Sequence, residues 1–212
     1  MTESLIIIGA GGFGRETLDV ADAAIAAGMD LALLGVVDDH PSDVNLTRLA
    51  ARGATHLGDT DSVLNAGRLH RFVVAIGDPA TRRRVAAKWQ KAGHRPAQLV
   101  HPSAVIGAAS RIGEGVVICA GVQISTNVRL GHHVHVSANA TIGHDAILEA
   151  FVSINPGAII SGEVVVESTV LVGAGAVVLQ GLRIGEGATV GAAACVTRNV
   201  PAQQIVKGVP AR

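Results

Sequence analysis

The sequence predicts a chain of two unlike parts, an α/β unit over residues 1–97 and an all-β parallel helix of six-residue turns over residues 98–212. Three observations predict it. From Val100 to Val196 every sixth residue is Val, Ile or Leu, without one break in step. Two residues before each of these anchors, from Ala104 to Ala194, stands Ala, Val or Leu, Ser110 excepted. Ahead of this region an apolar run, Leu5-Ile6-Ile7-Ile8, leads into Gly9-Ala10-Gly11-Gly12-Phe13-Gly14 and then a helical stretch.

A strict period of six fits neither an amphipathic helix, spaced at three and four, nor a half-buried strand, spaced at two. It fits a coil with three flat sides, one hexapeptide to a side, each circuit stacking on the last. The anchor then points inward, and the residue two before it must be modest in size because the prism is narrow. Glycine follows the anchor at Gly107, Gly113, Gly131, Gly143, Gly173, Gly185 and Gly191, where a corner with φ > 0 is expected. Flat faces with few large side chains to cover them also predict association through those faces.

The composition agrees. Apolar residues make up 49% of the 212 but aromatics only 2%, with no tyrosine, so Val, Ile, Leu and Ala must fill the core. Seventeen Lys and Arg balance seventeen Asp and Glu, which removes any global electrostatic pull toward nucleic acid or an anionic membrane. A small-molecule partner is the better expectation. Cys119 and Cys195 fall in no metal-ligand or redox spacing and are expected to pack in a reduced, cytoplasmic compartment. The N-terminus lacks the basic start and long apolar stretch of a signal peptide. No run reaches the roughly 18 to 20 apolar residues that span a bilayer, so a soluble chain without membrane insertion is expected.

In the N-terminal unit the strand at Leu5–Ile8 is followed by a helix expected from Arg15 to about Ala27, then a strand, Leu33–Val37, ending at Asp38-Asp39. This is the G-x-G-x-x-G arrangement between strand and helix, with an acidic residue closing the next strand. Its glycines let backbone N–H groups approach a phosphate at a helix N-terminus, and the carboxylates can accept ribose or base hydrogen bonds. A plain turn and helix cap is the other reading of the two aspartates. Fewer than about 100 residues precede the coil, too few for the six-stranded dinucleotide fold, so a half-sized unit holding one nucleotide is expected. A further strand, Phe72–Ile76, runs into Gly77-Asp78 and a helix carrying Arg82, Arg83, Arg84 and Lys88. That run reads first as a solvated face, with Arg82 the phosphate contact if any of them is one.

On the coil, His132, His133 and His135 cluster, but no two histidines are a whole circuit apart, so solvated side chains are expected and no metal site. His144-Asp145 differs, because it follows the corner residue Gly143. A histidine beside a carboxylate can act as a general base, and one circuit further on stands Gly162, whose N–H could stabilise an oxyanion. An exposed, idle histidine is the alternative.

A Gly-rich unit containing AIGD, then HPSAVIG, an uninterrupted hexapeptide coil with a His-Asp step, and a closing GVPAR together resemble the bacterial nucleotide-sugar acetyltransferases. These include enzymes acting on UDP-4-amino sugars, GDP-perosamine N-acetyltransferases and sialic acid O-acetyltransferase-like proteins. The resemblance implies a left-handed β-helix, a homotrimer with acetyl-CoA in the groove between subunits, a nucleotide sugar on the N-terminal unit, and no metal cofactor. Carried over by position, His144 is the general base and Asp145 its acidic neighbour. Gly162 faces the acetyl carbonyl, and Ala174 and Ala192 contact the pantetheine arm. Gly11, Gly12, Phe13, Asp38, Asp39 and Gly77 form the nucleotide-sugar pocket. Two positions depart from the family pattern: Ser153 replaces a second histidine near the acetyl group, where its hydroxyl is expected to donate a hydrogen bond in that histidine's place, and Phe13 replaces a histidine in the glycine loop. The implied activity is N-acetylation of a nucleotide-linked amino-deoxysugar for a surface glycan. O-acetylation of a sugar, a non-catalytic nucleotide-sugar-binding role and a small NAD-dependent oxidoreductase stand as alternatives.

Overall fold

The computed structural model describes residues 2–212. The N-terminal unit is a four-stranded, all-parallel sheet ordered β2-β1-β3-β4: β1 (Glu3–Ile8), β2 (Leu31–Val37), β3 (Arg71–Val74) and β4 (Arg95–Pro96). Between the strands run α1 (Gly12–Ala26), α2 (Asp43–Ala51), α3 (Thr60–Asn65) and α4 (Pro79–Lys91). The apolar run of β1 is buried throughout Leu5–Ile8, as the middle of a sheet covered on both faces requires. Asp78 and Ser42 cap α4 and α2 with side-chain acceptors, so both helices begin where a capping residue stands. Two bounds differ from expectation. Helix α1 starts at Gly12, because Gly11 serves as its N-cap. Strand β3 stops at Val74, since the Ile76 and Gly77 carbonyls turn aside to accept from Arg82.

From Leu99 the chain winds into two-residue strands that build three parallel sheets. Face one holds seven strands, including Val117–Ile118, His135–Val136 and Ser153–Ile154; face two holds six, including Thr141–Ile142; face three holds five, including Ile147–Leu148. The pairings His135↔Ser153, Thr141↔Ile159 and Ile147↔Val165 all step by one eighteen-residue circuit. Only the last circuit is shorter, pairing Thr189 with Ile205. The anchors and the residues two before them form one continuous buried core from Val116 to Val206. The fold is the expected half-sized α/β unit followed by a left-handed parallel β-helix.

The corner glycines have a different cause from the one expected. Positive φ falls two residues later, for example at Asn127, His133, Asp145, Phe151 and Glu163, all near +60°. Such a non-glycine residue costs about 1–2 kcal/mol, and here its N–H finds the carbonyl of the circuit before: Asp145 N donates to Thr126 O at 3.1 Å and His133 N to Glu114 O at 2.8 Å. The glycine after the anchor is required by stacking. A Cβ on Gly143 would lie 2.4 Å from Gly162 N, and one on Gly173 2.5 Å from Ala192 N.

The N-terminal unit sits on face one. Leu18, Ala21, Leu99, Val117 and Cys119 share one apolar cluster across the junction, and Phe72, Trp89 and Phe151 a second. Arg82 locks it. Its side chain is fully buried; Nε donates to His133 O, Nη1 to Ile76 O and Gly77 O, and Nη2 to Phe151 O, Val152 O and Ser153 Oγ, at 2.7–3.3 Å. Burial pulls the guanidinium down to about 9, which leaves it a cation at neutral pH. No helix among the described residues is long and apolar enough to cross a membrane.

Candidate active site

His144 and Asp145 occupy the edge between faces two and three. The His144 Nδ1 lies 2.7 Å from Asp145 Oδ2, with both side chains nearly half exposed, at 48% and 44%. This contact makes Nδ1 the protonated nitrogen of the neutral ring and leaves Nε2 as the acceptor. The ring lies over Gly162, where an added Cβ would stand 2.6 Å from both Nε2 and Cε1. Only glycine leaves the imidazole room there. The Gly162 N–H has no backbone acceptor among the described residues.

Asn127, which sequence reasoning passed over, is one circuit back and donates from Nδ2 to Asp145 Oδ1 at 2.5 Å. Hydrogen bonds from Asn127 and then His144 hold the Asp145 carboxyl below its usual range. The column Asn127, Asp145, Glu163 shares the left-handed corner conformation, and the eighteen-residue step from Asp145 could have found it. Ala174 and Ala192 are exposed, and they lie on a different edge, between faces one and two. One chain therefore does not bring them beside His144.

In the N-terminal unit Gly11 and Gly12 begin α1 with open space where a side chain would be, so their backbone is approachable. Gly14 is there for packing, since its Cβ would overlap Gly9 O. The Asp38 carboxylate accepts from Ala10 N at 2.7 Å and from His40 N at 3.0 Å, tying the end of β2 to the glycine loop. Asp39 Oδ1 accepts from Thr60 N at 2.7 Å. Both aspartates thus do the structural work of the plainer reading, and both also line a cavity of about 420 Å³ with His40, Thr60, Arg84 and Lys88. It opens at the carboxyl ends of β1, β2 and β3, where parallel sheets take their ligands. Phe13 and Gly77 line a second, smaller cavity at the domain junction.

Three expectations are corrected. Arg82 contacts no phosphate, because all its donors serve backbone and Ser153 acceptors at the junction. Ser153 is 3% exposed; its one proton goes to Gly77 O at 3.1 Å and its oxygen accepts from Arg82, so it has no donor left for an acetyl group. His133 and His135 are buried, the first stacked on Phe151 and the second tilted against Phe13, instead of solvated. Cys119 is buried as expected, and burial, then the nearby Glu16 charge, pushes its thiol up to about 12. Among the described residues no group of three or more His, Cys, Asp or Glu is placed to hold a metal ion.

A half-sized α/β unit with an open glycine loop, seated on a hexapeptide coil that carries His-Asp on an edge, defines a hexapeptide-repeat transferase with a nucleotide-type N-terminal domain. Residues 4–89 match the PglD N-terminal domain and residues 109–144 the bacterial transferase hexapeptide. No curated protein matches the sequence significantly. Solved structures do. A histidine-to-asparagine variant of perosamine N-acetyltransferase from Caulobacter crescentus, in complex with CoA and GDP-perosamine, is 31% identical over 100% of this chain and 97% of its own, with a TM-score of 0.87. The acetyltransferase domain of PglB from Neisseria gonorrhoeae FA1090, in complex with acetyl coenzyme A, is 30% identical over 100% and 99%, with a TM-score of 0.84. WeeI from Acinetobacter baumannii AYE is 25% identical over 98% of each chain, with a TM-score of 0.85. The chain belongs to the nucleotide-sugar acetyltransferase family of the left-handed β-helix superfamily.

Proposed function

We propose that this protein is an acetyl-CoA-dependent N-acetyltransferase acting on the amino group of a nucleotide-linked amino-deoxysugar, in the cytoplasm, for bacterial surface glycan synthesis. The observation that carries it is the His144–Asp145 pair lying over Gly162, in a chain 31% identical to an enzyme solved with CoA and GDP-perosamine. His144 Nε2 takes a proton from the sugar nitrogen as that nitrogen attacks the thioester carbonyl. Asp145 holds the ring's tautomer and balances the imidazolium that forms. The Gly162 N–H donates to the oxyanion, which collapses with the CoA thiolate as leaving group and leaves the amide product. Transfer is direct, with no covalent enzyme intermediate. Ala174 and Ala192 contact the pantetheine arm, and Gly11, Gly12, Phe13, Asp38, Asp39 and Gly77 hold the nucleotide sugar. Residues 1–97 thus serve the acceptor and residues 98–212 the acetyl donor.

The same reading takes the protein as a homotrimer. The N-terminal unit covers face one, whereas His144 stands on the opposite edge of the prism, so a nucleotide sugar held by one subunit meets the His144 of another. Exposed apolar residues on and beside face two, Val105 at 56%, Ile159 at 42% and Leu179 at 42%, favour such contact. Purified protein supplied with acetyl-CoA and a panel of UDP-, GDP- and dTDP-linked amino sugars is expected to release free thiol with at least one. Silence across the panel would sink the proposal, and a sedimentation mass of one chain would remove the shared site.

A further inference from the structure

The cavity at the domain junction has a volume of about 280 Å³, at the lower end for a small-ligand pocket and enough for one sugar ring. Phe13 and Glu16 on α1 form one wall; Ser137 and Asn155 on the coil line the other side. Four of its polar side chains, Glu16, His135, Ser137 and Asn155, carry a group without a partner among the described residues. Ser137 is only 5% exposed, yet its hydroxyl makes no hydrogen bond, and the Asn155 amide and Glu16 carboxylate make none either. His135 in the same lining is 2% exposed, and its Nε2 is buried with no partner; a buried polar atom left unpaired points to a ligand that supplies one.

The charges around the cavity are otherwise spent. Cys119 stays a thiol beside Glu16, and His135 stays neutral because it is buried near Arg82. Arg15, next along α1, turns away to Ala10 O and Asn45 Oδ1, and Asp19 pairs with Arg52. Asp78, beyond Gly77, caps α4 through Thr81 N, and Arg82 gives every donor to the junction. Glu16 is left as the one unpaired charge on the wall. An acidic sugar would meet this carboxylate with no cation to offset it. A ring bearing an ammonium group, a hydroxyl and an apolar edge would meet Glu16, then Ser137 with Asn155, then Phe13.

We infer that Glu16 is a specificity-determining residue that selects the cationic form of an amino-deoxysugar at this junction pocket; this rests on the nucleotide-sugar reading above. The ammonium pairs with Glu16 on binding and loses one proton to solvent to give the free amine; the second proton, released as that amine attacks the thioester, is the one His144 accepts.

Calorimetric titration tests it without needing turnover. The probes are a UDP- and a GDP-linked 4-amino-4,6-dideoxyhexose, each set against its 4-hydroxy counterpart. The wild-type protein is expected to prefer an amino ligand by about fivefold near pH 6.5, as a weakly screened charge pair gives. That preference should fade near pH 9.5, where an amine of this kind has lost its proton. Glu16→Gln should show little preference at either pH while still binding the hydroxy ligand. If Glu16→Gln keeps the preference, if it weakens both ligands equally, or if the preference ignores pH, the inference fails alone. Absence of binding by every nucleotide sugar overturns the functional reading and the inference together.

Discussion

Histidines on two sides of the same coil have opposite fates. His133 and His135 lie where the N-terminal unit covers it, and His144 stands on the bare edge across the prism. The covered His133 stacks flat on Phe151, with ring centroids 5.0 Å apart and planes 7° from parallel. Burial first, then the charges of Arg82 and His132, drives its imidazole down to about 4. It is an aromatic filler at neutral pH. His144 keeps one nitrogen on Asp145 and presents the other over Gly162. The same residue type on the same scaffold is packed away or left open to solvent according to what lies over it.

The largest expected effect breaks the bare edge. Replacing His144 with Ala should cut thiol release by about 100- to 10,000-fold, the usual contribution of a general base, while CoA binding measured by titration stays near wild type. Undiminished turnover in that variant would move the chemistry elsewhere. The covered side is tested next. Arg82→Ala removes one donor from each of five backbone carbonyls and from Ser153 and should lower stability by about 3–5 kcal/mol, read as a fall in the denaturant midpoint. An unchanged midpoint would show that the junction does not depend on this lock.

Acid should separate the two sides more gently. His133 titrates lower in the folded chain, about 4, than its ordinary value of 6.5. The unfolded chain therefore binds the extra proton between these values, and stability rises with pH there. The contribution of a neutral, buried His133 is complete above about pH 6.5 and falls by roughly 1.4 kcal/mol per pH unit below it, until about pH 4. His133→Phe should flatten this part of the acid limb in denaturation midpoints measured between those pH values; an equally steep limb would assign it to other groups. The smallest effect belongs to Asn127→Ala, which frees one Asp145 oxygen and should lower kcat by roughly fivefold with folding unchanged, the scale of one hydrogen bond. A kcat equal to wild type would show that His144 alone orients Asp145.

Much of this was legible along the chain. The anchor row from Val100 to Val196 and the row two residues before it place the inward side chains, and the eighteen-residue circuit places Gly162 under His144 and Asn127 behind Asp145. The covered face left weaker traces. Leu99 and Val117 belong to the outward row of face one that also holds His135 and Ser153, and apolar residues in an outward row signal that something lies on it. Arg82 shares a helical stripe with buried Ala86 and Trp89, whereas Arg83 and Arg84 face solvent. Those spacings separate three adjacent arginines that composition alone treats as one run.

The sequence by itself determined the coil, its narrow apolar core, the glycine loop after β1 and the stacking of His144 on Gly162, because each depends on a repeat or spacing within a local segment. Only the tertiary structure decided which face the N-terminal unit covers, which arginine it buries, why glycine follows the anchors, and that the His144 edge lies across the prism from the face the N-terminal unit covers. Those outcomes depend on how two separately patterned bodies dock, and docking is set by shape and hydrogen bonding between residues far apart in sequence, which no local period records.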